Sequence, residues 1–392
     1  MSVATMSQNA GVCFNLSDDH KMVRDMVRKL ATEEIAPRAA SYDVSREFPW
    51  ENIKKMAELG LMGVMVPEQY GGAAMDTLAY VLIIEEISKA CASTGVITAV
   101  QNSLGSYPIL AFGTDEQKKK WLPLLASGQK IAAYALTEPG SGSDAAGMKT
   151  TCVLDGDHWV INGQKNWITN STAAELFVVY ALKDPATKHK STSCFLIEKG
   201  TPGFTIGKHE ETMGVRASGT CPLTFDNVRI PKENLLGEEN KGFNIAMATL
   251  DCGRIGIAAQ AVGIAQAALE NAIKYSKERA QFGKPISEFQ LVQEMLVSMA
   301  TQIEAARLMV WQAACKRDAG EKFGKEASMA KWFASEVAVK AALDSIQVHG
   351  GYGYSKEYPV ERLLRDAKIT QIYEGTSEVQ KLVIARHLLS EG

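Results

Sequence analysis

Three segments of this 392-residue chain gather residue types that do chemistry. The first is Gln371-Ile-Tyr-Glu-Gly-Thr-Ser-Glu378. Ser377-x-x-Gln380 reads as a capping box, so a helix starts there. Glu374 stands just before it, and Gly375 lets another group approach. A carboxylate beside free backbone N–H groups pairs a proton acceptor with donors for a carbonyl oxygen. Taken alone, the segment fits a surface acid at a helix N-terminus better, worth ~0.3–1 kcal/mol. The second segment, ALTEPGSGSDAAG (135–147), packs small residues, hydroxyls and acids after a strand-like run. Its glycines admit a flat ligand and its diphosphate to the backbone, and an ordinary Gly/Ser loop is the plain alternative. The third, Gln347-Val-His-Gly-Gly-Tyr-Gly-Tyr354, ends a helical run with accessible backbone amides. A glycine-rich helix connection explains it equally well.

Two near-matches to known signatures fail. Gly140-x-Gly142-x-x-Ala145 fits a dinucleotide fingerprint, which requires a helix to follow. Residues 149–154 read as a strand instead. Gly142 to Gly147 has P-loop spacing, but Met148 separates the glycine from Lys149. No HExxH and no paired Cys/His spacing is present, so no metal site is expected.

These segments need elements to position them. Ser17 followed by Asp18 and Asp19 starts a helix carrying Met22, Val23, Met26, Val27, Leu30 and Ala31, which Pro37 should stop. Trp50–Leu59 is a second helix. Asp76 caps a third, running to about Ser93, and Thr114-x-x-Gln117 is a capping box. From Ile131 the runs become short, alternating and β-branched: IAAYALTE, TTCVL, HWVING, KNWIT, LFVVYAL, STSCFLIE and GFTIG. Asp155-Gly156 and Asn162-Gly163 read as turns. Helical periodicity returns near Lys241, with long helices over 243–275, 291–318 and 324–349, the last block resembling a four-helix bundle. The order is α, then β, then α. The helix from Phe243 is apolar on several faces, which predicts an oligomer.

Composition sets the remaining bounds. Forty-two basic against forty-five acidic residues give a net charge of −3, which argues against nucleic-acid binding. The cysteines at 13, 91, 152, 194, 221, 252 and 315 are scattered singly, as free thiols in a reducing compartment. The segment MSVATMSQNAGV lacks a signal peptide's basic start and apolar core, and lacks a transit peptide's arginines. The expected location is cytoplasmic, or the mitochondrial matrix if a transit peptide has been removed. Residues 90–114 carry no charge, yet hold too many polar side chains for lipid. They predict a buried helix and a possible pocket wall, and no membrane span.

ALTEPGSGSDAAG and QVHGGYGYSKEYPVERLLRD, together with Asn166-Trp-Ile-Thr169-Asn, Arg279-Ala-Gln-Phe282-Gly and IYEGTSEVQ, resemble the signature segments of the acyl-CoA dehydrogenase family. They stand in family order from the Leu16 helix to Arg386, closest to short-chain, butyryl-type members. The resemblance implies an α+β, mainly α fold: an N-terminal helical domain (1–130), a central antiparallel β-barrel domain (131–236) and a C-terminal four-helix domain (237–392). It implies FAD. Tyr134, Leu136, Thr137, Gly142 and Ser143 would line the flavin and the substrate's pantetheine, and Trp167, Ile168 and Thr169 would cover the isoalloxazine. Arg279, Phe282, Gln290, Gln347, Val348, His349, Gly350 and Gly351 would hold the adenosine diphosphate part, partly from a neighbouring subunit. Thr376, Ser377 and Glu378 would contact the same cofactor. Ser143, Asp251, Arg254, Tyr373 and Gly375 would contact the acyl-CoA, although Asp251 and Arg254 could simply pair with each other. Glu374 would take the α-proton while the β-hydrogen leaves as hydride to flavin N5, giving a trans-2-enoyl-CoA. The amide of Glu374 and a ribityl hydroxyl would hold the thioester oxygen. In some relatives the base stands at the position of Gly253, which has no side chain. The resemblance further implies an electron-transfer flavoprotein as acceptor and a homotetramer. An acyl-CoA oxidase, another flavin enzyme on this fold and a non-catalytic assembly module are the alternatives.

Overall fold

The computed structural model describes residues 15–390. Cys13 and the segment MSVATMSQNAGV lie outside the described residues. Seven helices come first: α1 (Asp18–Leu30), α2 (Ala36–Ser45), α3 (Trp50–Glu58), α4 (Thr77–Ala90), α5 (Ala92–Val100), α6 (Tyr107–Phe112) and α7 (Asp115–Ala126). Ser17 caps α1 by accepting from His20 N, Asp76 caps α4, and Thr114 and Gln117 close their capping box. Pro37 does not end the first run. A wide turn over Ala31–Ile35 precedes α2 and places Pro37 in its first turn, where a missing N–H is tolerated. The third expected helix breaks at Cys91, whose backbone is extended, and restarts as α5. A second wide turn, Gln101–Ser106, joins α5 to α6, and every residue from Ala92 to Ser106 is buried.

The middle of the chain forms β1 (Ile131–Ala135), β2 (Thr151–Asp155), β3 (His158–Ile168), β4 (Ala174–Leu182), β5 (Thr192–Glu198), β6 (Phe204–Ile206), β7 (Cys221–Pro231) and β8 (Leu235–Leu236). The paired order is β6-β7-β3-β2-β4-β5-β8, with β1 beside β4. Asp155-Gly156 turns the β2–β3 hairpin. HWVING and KNWIT are one strand, because Asn162-Gly163 is a bulge within β3. Gly163 has φ +148°, and a Cβ there would meet Thr150 Oγ1 at 2.5 Å. β7 was absent from the expected strands, and β1 pairs with β4 in parallel rather than antiparallel fashion. β4 is buried on both faces. Leu176, Val178 and Tyr180 pack with Trp121, Leu125 and Ile245 of the helices, while Phe177 and Val179 pack with Trp159, Phe195 and Phe225 inside the sheet domain.

The helices α8 (Gly242–Glu278), α9 (Gln290–Asp318), α10 (Gly324–His349), α11 (Val360–Thr370) and α12 (Ser377–Ser390) complete the fold. Helix α8 is long and apolar enough to cross a membrane, but 94% of its apolar window is buried inside the protein. It packs against α4, α9 and α10. The apolar faces expected to need a second subunit are therefore covered by the chain itself. Arg254 and Gly253 stand in the first half of α8 and face the α11–α12 connection.

Candidate active site

Glu374 sits in the turn between α11 and α12, with φ +53°, and Gly375 follows at φ +92°. A left-handed conformation costs a non-glycine residue ~1–3 kcal/mol and persists only where the surroundings enforce it. Here Gln380 Nε2 donates to Glu374 O (3.1 Å) and Gly375 O (2.8 Å). Lys331 Nζ donates to Gly375 O (2.7 Å), and Arg254 Nε reaches Glu374 O (3.5 Å). The expected capping box does not form. Helix α12 begins at Ser377, so Thr376 is the cap, and its Oγ1 accepts from Val379 N at 3.3 Å. Ser377 Oγ instead donates to Glu336 Oε1 at 2.8 Å. The amides of Glu374, Gly375 and Thr376 donate to no atom of the described chain. Three successive N–H groups without acceptors are available to an oxygen bearing negative charge.

The carboxylate is poised by its surroundings. Glu374 is half-buried as a residue, but its Oε2 is out of water and has no partner. Burial pushes its carboxyl up to about 8, against the opposing charges of Lys331 and Arg254. Lys331 is fully buried, and burial pushes its ammonium down to about 7, against the pull of Glu374. Arg254 Nη1 donates to Asp251 Oδ1 at 2.5 Å, so the simple pairing of these two does form. A Cβ at Gly253 would lie 2.2 Å from Glu374 Oε2 and 2.9 Å from Leu104 Cδ2. Beyond it, Val96, Val100, Leu104 and Ile257 form an apolar cluster with Tyr134 and Tyr373 packed on it. Tyr373 Oη donates to Gln260 Oε1. The uncharged segment thus supplies this wall through Val96, Val100 and Leu104. Gln101 and Asn102 point elsewhere, to Leu125 O, Lys130 O and Ala132 N, and to Val64 N, Leu61 O and Thr98 O.

A second group lies where β1 leaves this cluster. Tyr134 belongs to both, and Leu136 and Thr137 follow it. Asn166 N donates to Thr137 O at 2.8 Å, joining the glycine-rich loop to the end of β3. This brings Leu136 and Thr137 beside Trp167, Ile168 and Thr169. Trp167 has φ +59° and is 57% exposed, so it is no core aromatic. Gly142 and Ser143 are exposed, and Cβ atoms at Gly140 or Gly142 would meet nothing within 4 Å. Lys165 Nζ, fully buried, donates to Leu136 O (3.0 Å) and Glu138 Oε1 (2.8 Å), and Glu138 accepts from Lys149 N and Thr150 N. Sequence reading missed Lys165, Glu138 and Lys331. For the two lysines the signal was a charged residue at an inward position of a strand or on an alanine-rich helix face, while Glu138, in the loop after β1, carried none.

A third group is remote. Arg279, Val348, His349, Gly350 and Gly351 line a 660 Å³ cleft with Tyr275 and Tyr352. His349 stacks on Tyr275 at 4.2 Å and bonds Ser345 O, and Arg279 stands over the Tyr352 ring. Phe282, Gln290 and Gln347 are exposed nearby in sequence, Phe282 at 93%. Arg279 is 25 residues along α8 from Arg254, roughly 37 Å at 1.5 Å per residue. One chain therefore does not bring this group to Glu374. Thr376, Ser377 and Glu378 line a separate 440 Å³ cleft with Trp332 and Lys368.

Family models cover nearly the whole chain. "Acyl-CoA dehydrogenase, N-terminal domain" matches residues 17–129, the middle domain 133–228 and the C-terminal domain 240–389. An acyl-CoA dehydrogenase of Bacillus subtilis is 54% identical over 375 residues, covering 96% of this chain and 99% of that one. The mitochondrial short-chain specific acyl-CoA dehydrogenase of Rattus norvegicus is 52% identical, over 95% and 91% of the two chains. The butyryl-CoA dehydrogenase structure from Megasphaera elsdenii superposes with a TM-score of 0.94 at 45% identity, over 96% and 100%. On these matches, and on a fold that runs helices, sheet, helices in the same order, the chain belongs to the acyl-CoA dehydrogenase family.

Proposed function

We propose that the protein removes hydrogens from Cα and Cβ of a short, uncharged acyl-CoA thioester, giving the trans-2-enoyl-CoA. The observation that carries this is the buried, unpartnered Glu374 Oε2 facing an apolar pocket, beside three amides without acceptors. A thioester placed there presents its acidic α-hydrogen to a base and its carbonyl oxygen to N–H donors. The Glu374 carboxylate takes the α-proton. Its own amide holds the thioester oxygen where enolate charge develops, a contribution of the oxyanion-hole kind. Arg254 and Asp251 face the same turn and accompany the acyl-CoA. The pocket follows α8 from Gly253 past Ile257 to Gln260, seven residues or about 10 Å. Tyr373, held by Gln260, limits it to a short chain.

FAD is the cofactor, and the chain offers a fitting cradle: open glycines 140 and 142, and Trp167 held exposed at the end of β3. When bound, FAD supplies the acceptor for the β-hydrogen and its electron pair. Leu136, Thr137, Gly142, Ser143, Trp167, Ile168 and Thr169 hold the flavin and exclude water from its face. Arg279, Phe282, Gln290 and Gln347–Gly351 serve the cofactor of a neighbouring subunit in a homotetramer, and an electron-transfer flavoprotein then takes the electrons.

Glu374→Gln tests the reading. The variant keeps its yellow colour but loses anaerobic flavin reduction by butyryl-CoA by at least ~10²–10⁴-fold in stopped flow. Reduction at the wild-type rate would remove Glu374 from the mechanism. Oxygen consumption during turnover would move the assignment to an acyl-CoA oxidase.

A further inference from the structure

Lys331 carries an ionisable amine, yet none of it is exposed, and it lies on the alanine-rich face of α10 among Ala327, Ala330 and Ala334. Removing an ammonium from water without compensation costs several kcal/mol, so its position calls for a partner. Its hydrogen bond is to a carbonyl, Gly375 O at 2.7 Å, the residue after the proposed base. The carbonyls of Glu374 and Gly375 together accept from three elements: Arg254 on α8, Lys331 on α10 and Gln380 on α12. With both carbonyls drawn toward the helices, the amides of Glu374, Gly375 and Thr376 are left without acceptors.

From this geometry, resting on the proposed role of Glu374, we infer that Lys331 is a positioning residue for the reaction: it clamps the Glu374–Gly375 turn and, when protonated, lowers the pH at which the base ionises. The groups facing this pair are Arg254, Asp251 and Cys252 from α8, Glu336 from α10, Glu378 from α12, Tyr80 from α4, Tyr134 from β1 and Tyr373 beside the base itself. Arg254 is already bonded to Asp251, so Lys331 is the cation whose charge is least shared by a direct ion pair at the turn. A nearby cation favours the ionised carboxylate, so its loss raises the pH at which Glu374 becomes a base.

The test uses the FAD-loaded enzyme and three variants. Lys331→Gln keeps a donor without the charge, Lys331→Met removes both, and Lys331→Arg keeps the charge. The readouts are FAD content, KM for butyryl-CoA, and the acid limb of kcat/KM against pH. Lys331→Gln is expected to retain FAD and to move the limb to higher pH, by up to about one unit. A one-unit shift lowers kcat/KM at neutral pH about tenfold. KM should change little, and Lys331→Arg should return the limb towards the wild-type position. A limb in Lys331→Gln that superposes on wild type overturns the inference. If Lys331→Met does not fold, the Gln and Arg variants decide alone. Glu374→Gln run in parallel separates the two claims: if it still reduces flavin, the base assignment falls; if it does not while Lys331→Gln is unshifted, only the role of Lys331 falls.

Discussion

The space beside Glu374 Oε2 is set by one missing side chain. A methyl group at Gly253 would stand 2.2 Å from that oxygen, and the carboxylate, as the end of a flexible side chain, would move rather than the backbone. Gly253→Ala is therefore expected to fold with a Tm within a few degrees of wild type. Its kcat/KM should fall about 10²-fold, because misplacing a reacting group by roughly 1 Å has that effect. A normal kcat/KM would show that the carboxylate works from another rotamer. Protonation at this residue also touches stability. The folded carboxyl ionises near pH 8 against 4.5 for the free group, so the folded state binds the extra proton between those values. Its contribution is complete below pH 4.5 and is lost as pH rises through 8. Without FAD, Glu374→Gln should thus gain Tm over wild type as pH goes from 6 to 9; a constant difference would deny the burial effect. Glu374 was singled out in the sequence through the resemblance of IYEGTSEVQ to a family segment, since taken alone the segment fits a surface acid at a helix N-terminus better. Lys331 was not, since its partner is 44 residues away and only the fold joins them.

Among elements, the buried helix α5 with its following turn decides what the pocket accepts. Val96, Val100 and Leu104 meet Ile257, Tyr134 and Tyr373, and the segment 90–114 that supplies this wall carries no charged residue. A second carboxylate at the chain's end would be buried unpaired, at several kcal/mol. Direct competition should therefore favour butyryl-CoA over glutaryl-CoA in kcat/KM by 10²-fold or more; equal turnover would mean that a cation reaches the pocket from elsewhere. The absence of charge over 90–114 announced a buried wall, but not which side chains face it. Gln101 and Asn102 spend their amides on backbone groups of neighbouring elements, and that geometry is invisible in sequence. Strand β7 escaped notice because Pro222 and Asp226-Asn227 mask an alternation carried by Leu223, Phe225, Val228 and Ile230. The loop after β1 rests on the buried Lys165–Glu138 pair. Lys165→Met leaves the buried Glu138 carboxylate without its cation, held only by the Lys149 and Thr150 amides, so it should lower unfolding free energy in urea by up to about 3–5 kcal/mol and weaken FAD retention. An unchanged urea midpoint would mean that Glu138 finds water or protonates without cost.

At the scale of the whole molecule, the length of α8 is the decisive fact. Thirty-seven residues make it about 55 Å long, with Glu374 against its first half and the Arg279 cleft at its far end. If both groups serve FAD, they serve different FAD molecules, so a monomer presents two half-sites. Exposed Phe282 and Leu291, beside that far end, are the apolar residues a partner would cover, and α8 itself is not. Light scattering at micromolar concentration should therefore show a homo-oligomer carrying FAD, a tetramer on the family pattern. Arg279→Ala separates the two halves. Losing a charge-assisted bond to phosphate costs about 1.5–3 kcal/mol, roughly 10- to 150-fold in FAD affinity. Glu374 and its pocket are untouched by that change, so the fraction of the variant that still holds FAD should turn over butyryl-CoA at the wild-type rate. An FAD-loaded monomer, or an Arg279→Ala enzyme with normal FAD affinity, would place the far cleft outside the cofactor site.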